Sequence, residues 1–242
     1  MSSALQNFTD GVRDRIVERF GLVEVGDPYE TFVMTESGER VGEVRVWTGP
    51  LVPSLVDSRL VVPSMGIDSV MLHAFTDPRS AAPHLTSDVA GMNGRLALGL
   101  DLTPRVDLAT EPAYLDAVYA PLTETHRAIR EVEGATPMDV PLRLRAFTSP
   151  WLTGASVPES RLPEIGRAYD AYLERFFALA EDGAPPVAID GDALLARDAL
   201  ARRAQFDPAS DPVWDFLAGL LGRESVDTLL DLVRTPGPPA PR

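Results

Sequence analysis

Few side chains in this sequence can do chemistry, and their spacing limits what they could do. Three histidines, His73, His84 and His126, stand in a chain with no cysteine and no lysine, so all 22 basic residues are arginine. Without thiols the chain holds no disulfide, thiolate nucleophile, thioether-linked chromophore or iron–sulfur cluster; without lysine it forms no Schiff base. The histidines are too scattered for a zinc site. Phosphate loop, GxGxxG, HExxH and GxSxG motifs do not occur. These residue types alone identify no reaction.

Residues 84–89 place His84, Thr86 and Asp88 at every second position, so a strand there turns all three to one face and Leu85 and Val89 to the other. On a core strand such groups need partners or a cavity holding a polar ligand. On an edge strand water suffices, and the spacing leaves both readings open. His73 lies on the preceding strand, within reach across a hairpin. In RLALGLDL, Leu96, Leu98, Leu100 and Leu102 share one face and Ala97, Gly99 and Asp101 the other. That small-residue face either leaves room for a flat ligand or seats a helix closely. Asp198, in LLARDALARR, reads as a helix-surface acid four residues before Arg202.

The elements that must position these groups follow from periodicity. Leu5, Phe8, Val12, Ile16 and Phe20 predict an amphipathic helix over 4–20. Short apolar runs cut by turns, at 29–35, 41–47, 59–62, 67–75, 84–89 and 95–102, predict successive antiparallel strands through 29–102. The segment 111–234 reads as mostly helical, interrupted by an irregular connection that contains Pro137, Pro141 and residues 143–151. The tail 235–242, TPGPPAPR, reads as disordered. Strands first and helices later imply one α+β domain over 1–242. Its architecture is an α/β/α sandwich with a mainly antiparallel central sheet flanked by helices on both faces.

A net charge of −14, from 22 basic and 36 acidic residues, repels nucleic acid and anionic lipid. No apolar run approaches a membrane span, and the amino terminus lacks a secretory or transit pattern, so a cytoplasmic protein is expected.

The run GRLALGLDLTPRVDLATEPAYLDAVYAPLTETHRAIREVEGATP resembles the corresponding stretch of the red chlorophyll catabolite reductases, members of the ferredoxin-dependent bilin reductase superfamily. The shared pattern is Leu100-Asp101-Leu102, Arg105, Asp107-Leu108, Tyr114-Leu115 and His126-Arg127. RAFTSP, from Arg145 to Pro150, and ARDALARR extend it, over about residues 59–220 in all.

The resemblance implies reduction of an open-chain tetrapyrrole, either red chlorophyll catabolite-like or a haem-derived bilin such as biliverdin. Electrons would come singly from reduced ferredoxin, with no metal or other cofactor bound. It assigns proton-donor or substrate-holding roles to Asp88, which stands where the family has glutamate, and to Asp198. His84, Thr86, His73, Arg145, Thr148, Ser149 and Asp101 follow as pocket residues. Thr148 replaces a bulkier family residue that biases product stereochemistry. To dock an acidic ferredoxin, a chain this acidic needs a local arginine patch, either Arg197, Arg202 and Arg203 or Arg143 and Arg145. A homodimer is expected by the same resemblance. The rival readings are a tetrapyrrole carrier or sensor that has lost electron transfer, and an interaction module with a filled sheet face.

Overall fold

A computed structural model of the chain describes residues 3–239. Helix α1 (Ser3–Phe20) leads into β1 (Val23–Glu24), β2 (Glu30–Val33), β3 (Arg40–Thr48), β4 (Ser54–Val62), β5 (Ile67–Phe75), β6 (His84–Met92) and β7 (Arg95–Thr103). Helices α2 (Pro112–Val118) and α3 (Thr123–Arg130), strands β8 (Thr136–Pro137) and β9 (Ala155–Pro158), and helices α4 (Leu162–Asp182), α5 (Gly191–Gln205), α6 (Val213–Leu221) and α7 (Arg223–Arg234) follow. All strand pairs are antiparallel, in the order β1-β3-β4-β5-β6-β7-β9-β8, with β2 also paired to β3. The expected sandwich is the observed one.

Alternation along the strands sends one set of apolar side chains to each face, so there are two cores. On one face Leu85, Val89, Leu96, Leu98, Leu100 and Leu102 bury against α1 and α4. Phe8 meets Tyr169 edge to face at 4.9 Å, and Arg19 binds Glu181 at 2.7 Å on the rim. On the other face Val44, Val46, Val56 and Leu60 bury against α6 and α7 through Trp214, Leu217, Leu229 and Leu230. Asn93 and Gly94, both at positive φ, close the β6–β7 hairpin with Met92 opposite Arg95. Their twist matches that of the flanking strands.

Several boundaries depart from the sequence pattern. Strand β4 begins at Ser54 rather than 59, and its buried acid is paired inside the fold: Asp57 meets Arg59 at 2.9 Å and Arg13 of α1 at 3.3 Å. Pro121 lies in a short 3-10 turn, Ala120–Leu122, that divides one expected helix into α2 and α3. Strands β8 and β9 lie within the stretch read as mostly helical, and each ends in a proline; β9 pairs with β7 and β8, and two-residue β8 forms the edge. Residues 235–239 carry no helix or strand, and 240–242 of the expected disordered tail lie outside the described residues. No helix among the described residues is long and apolar enough to cross a membrane.

Two glycines are predicted to behave oppositely. A Cβ on Gly42 would fall 1.9 Å from the Arg59 carbonyl oxygen, against backbone that cannot yield, whereas one on Gly11 in α1 meets nothing within 4 Å. Gly42→Ala should destabilise by about 2 kcal/mol or more, while Gly11→Ala should stabilise by about 0.5–1 kcal/mol. Urea unfolding midpoints check both.

Candidate functional site

On the face covered by α5–α7 the sheet does not fill its space. A groove begins there and continues beyond it in three adjoining lobes of about 510, 390 and 390 Å³, the latter two covered by residues from 205–217 and the first lined by residues from 130–155, each within the range of about 300–1,000 Å³ usual for small-molecule sites. The floor of the middle lobe is Met71 and His73 of β5, Thr86, Asp88 and Ala90 of β6, and Ala97 and Gly99 of β7. Phe206, Asp211 and Trp214 roof it, and residues 138–154 wall one side through Met138, Leu144, Thr148 and Leu152. The small residues of β7 therefore leave room and do not seat a helix; a Cβ on Gly99 would meet only Leu152 Cδ1 at 3.8 Å.

Strand β6 is interior, paired on both sides, and of its polar row Thr86 and Asp88 face the groove and not an outer edge. Asp88 keeps its side chain 55% exposed in the open groove and accepts a hydrogen bond from His73 Nε2 at 3.1 Å. A carboxylate can only accept, so Nε2 carries the proton. The buried His73 ring packs against Phe206 at 5.3 Å, which fixes the pair on the wall.

Asp211 was not among the residues singled out from sequence. It stands just ahead of Pro212, the N-cap of α6, and satisfies the first amide of that helix, accepting from Val213 N–H at 3.0 Å. It also lines the same lobe as Asp88. Burial pushes its carboxyl above the usual range; the Val213 bond opposes this, and the negative charge of Asp88 adds to it. Two carboxyls thus face one slot, one from the floor and one from the roof.

Of the nine site residues expected from sequence, His73, Thr86, Asp88, Arg145, Thr148 and Ser149 line the groove, whereas Asp101, His84 and Asp198 do not. Asp101 is buried beneath the loop, accepting from Ser149 N–H at 2.7 Å and from the Ser149 hydroxyl at 2.5 Å. Trp151 N–H donates to Ser149 Oγ at 3.0 Å, Tyr172 donates to the Trp151 carbonyl at 2.6 Å, and His126 Nδ1 donates to the same carbonyl at 3.1 Å. Burial raises Asp101 to about 7, against the Ser149 bonds. It anchors the groove wall to the sheet.

Asp198 is not the surface acid its spacing suggests; it is 2% exposed. His84 Nδ1 accepts from Thr76 N–H at 3.1 Å, so Nε2 bears the proton and donates to Asp198 Oδ1 at 2.8 Å. Burial, then the positive charge of Arg105, depresses His84 to about 3 and keeps it neutral. Arg105 and Arg202 stand 3.6 and 3.7 Å from the carboxylate. Burial pushes Asp198 up, but the His84 bond and both arginines outweigh it and hold the carboxyl below the usual range. Arg202, itself buried, cannot belong to a surface docking patch. It lies over Phe75 and donates to the carbonyls of Val233 at 2.7 Å and Leu232 at 3.3 Å.

No protein-family model and no curated protein matches the chain. Its fold, an antiparallel sheet between two helical layers, is shared with a solved enzyme. That structure is a crystal structure of phytochromobilin synthase from tomato in complex with biliverdin. The TM-score is 0.77 at 14% sequence identity, over 95% of this chain and 82% of that one.

Two predictions separate anchoring residues from those of the groove. Removing one partner from a buried ion cluster costs about 3–5 kcal/mol, so Asp198→Ala should lower the unfolding free energy by that order in urea titrations. Asp101 gives a pH signature. Its folded pKa lies above the unfolded value, so between about pH 4 and 7 the folded state holds the extra proton and this contribution declines as pH rises. The stability of wild type relative to Asp101→Asn should be greater at pH 5 than at pH 8.

Proposed function

We propose that this chain reduces an open-chain tetrapyrrole held in the groove, by two rounds of electron transfer from reduced ferredoxin, each coupled to protonation of the pigment. The observation that carries the reading is the middle lobe, a flat-floored, aromatic-roofed slot with a carboxyl on each side. The fold in common with a biliverdin-bound phytochromobilin synthase supports it. A small-residue floor suits a planar conjugated ligand, and Phe206 and Trp214 offer apolar contact above it.

The chemistry follows from desolvation. A pigment lying over Asp88 strips water from its carboxyl, raises its pKa and makes it a proton donor near neutral pH. His73 orients the acid through the 3.1 Å bond. Asp211, already raised by burial, serves the opposite face. One electron gives a pigment radical anion, which takes a proton from one of these acids. A second electron and proton complete reduction of one double bond, with two ferredoxins oxidised and the acids recharged from solvent through the open mouth. Asp198, a buried anion off the groove, takes no part in proton transfer. Arg197 and Arg203, exposed on α5 on either side of exposed Leu200, offer an acidic ferredoxin its contact.

Anaerobic absorbance of the protein with biliverdin, and separately with red chlorophyll catabolite, should show bleaching or a blue shift of one pigment only after reduced ferredoxin is added. A bound but unchanging spectrum would establish a carrier instead. Asp88→Asn and Asp211→Asn should each cut turnover by about 100-fold or more while leaving pigment affinity little changed.

A further inference from the structure

The outer lobe of the groove differs in character from the middle one. It opens between α3, strands β8 and β9 and the loop 138–154, and two arginines line it: Arg130 from the end of α3 and Arg145 from the loop. Thr148 and Ser149 stand in the same wall. Most arginines in this acidic chain lie within 4 Å of a carboxylate, but the Arg130 side chain has no ion pair or hydrogen bond among the described residues. Arg145 is held in place by donating from Nε to the Val140 carbonyl at 3.0 Å. The nearest acid to it is fully solvated Asp139, 3.8 Å away, a charge that water largely screens. The two guanidiniums come from separate elements and face one lobe that shares Thr148 and Leu152 with the slot holding Asp88 and Asp211. Their forked donors match carboxylates best.

We propose that Arg130 and Arg145 form a dianion subsite that takes the two free carboxylate arms of a linear tetrapyrrole, and so selects a haem-derived dicarboxylate over a chlorophyll-derived pigment with one carboxylate esterified. This rests on the tetrapyrrole reading and decides between its two substrate classes. It also orients the pigment, because carboxylate arms fixed in the outer lobe leave the conjugated rings over Ala97 and Gly99, between the two acids. Each arginine neutralises one arm, and esterifying an arm removes both its charge and its charge-assisted hydrogen bonds.

Absorbance titration of the full chain with biliverdin, its monomethyl ester and its dimethyl ester tests this without electron transfer. Affinity should fall about tenfold with each ester added. Arg130→Gln and Arg145→Gln should each weaken diacid binding by a similar factor and leave the dimethyl ester unaffected, and the double variant should bind all three alike. Asp139→Asn should slightly tighten the diacid. Equal affinity of wild type for diacid and diester, or an undiminished preference in the double variant, would overturn the subsite while leaving the tetrapyrrole reading intact. No saturable binding of any of the three pigments would overturn both.

Discussion

Taking a carboxylate out of water is costly unless charged and hydrogen-bonding partners meet it in good geometry. At Asp198 those partners come from distant parts of the chain: His84 from the start of β6, Arg105 from just beyond β7, and Arg202 one turn along α5. Each partner is tied down in turn. Arg105 donates to the Pro78 carbonyl at 2.8 Å, in the β5–β6 connection, and Arg202 reaches the end of α7. One buried charge therefore sets where α5 and α7 sit relative to the sheet, and with them the roof over the groove. A shift of this cluster would carry Phe206, Asp211 and Trp214 with it. The cluster is held by one hydrogen bond, from His84, and two longer ion pairs, while Asp198 Oδ2 and Arg202 Nη1 are buried without a hydrogen-bond partner.

The opposite wall is fixed by neutral and near-neutral groups. Asp101 holds Ser149, and Trp151 stacks on Tyr119 at 5.3 Å while Thr123 accepts from its indole N–H at 3.1 Å. Thr153 N–H bonds the Leu100 carbonyl at 3.0 Å and completes the attachment to β7. A loop held at four points behaves as a wall and not as a lid. Rigid walls on both sides fit the reductase proposed above, whose acids would have to stay in register with a planar conjugated system.

The sheet was legible because its strands are short apolar runs cut by turns; β5 matches 67–75 residue for residue. The row His84, Thr86, Asp88 was visible as a row, but which of its members faces a cavity was not. That depends on where the strand passes under α5, a tertiary fact without local signature. His84 and Asp198 lie 114 residues apart, so no spacing rule joins them. Asp211 was hidden by its second role. An acid ahead of Pro212 is fully explained by satisfying the first amide of a helix, and only the folded chain brings it over the slot that Asp88 also faces. The resemblance to red chlorophyll catabolite reductases places its second acid at Asp198 on the C-terminal helix; in the folded chain Asp198 is buried off the groove, while Asp211 lines it.

The order of elements along the chain also matters while the protein is being made. The sheet is complete by Pro158, yet the helices that cover its second face, α5–α7, begin only at Gly191 and end at Arg234. During synthesis at about 5–20 residues per second, that face waits for several seconds with Val44, Val46, Val56 and Leu60 uncovered. The first face has its cover sooner, because α1 precedes the sheet and α4 follows it directly. A nascent chain stalled before residue 191 would thus be a half-clad sandwich, sticky on the side that becomes the binding groove.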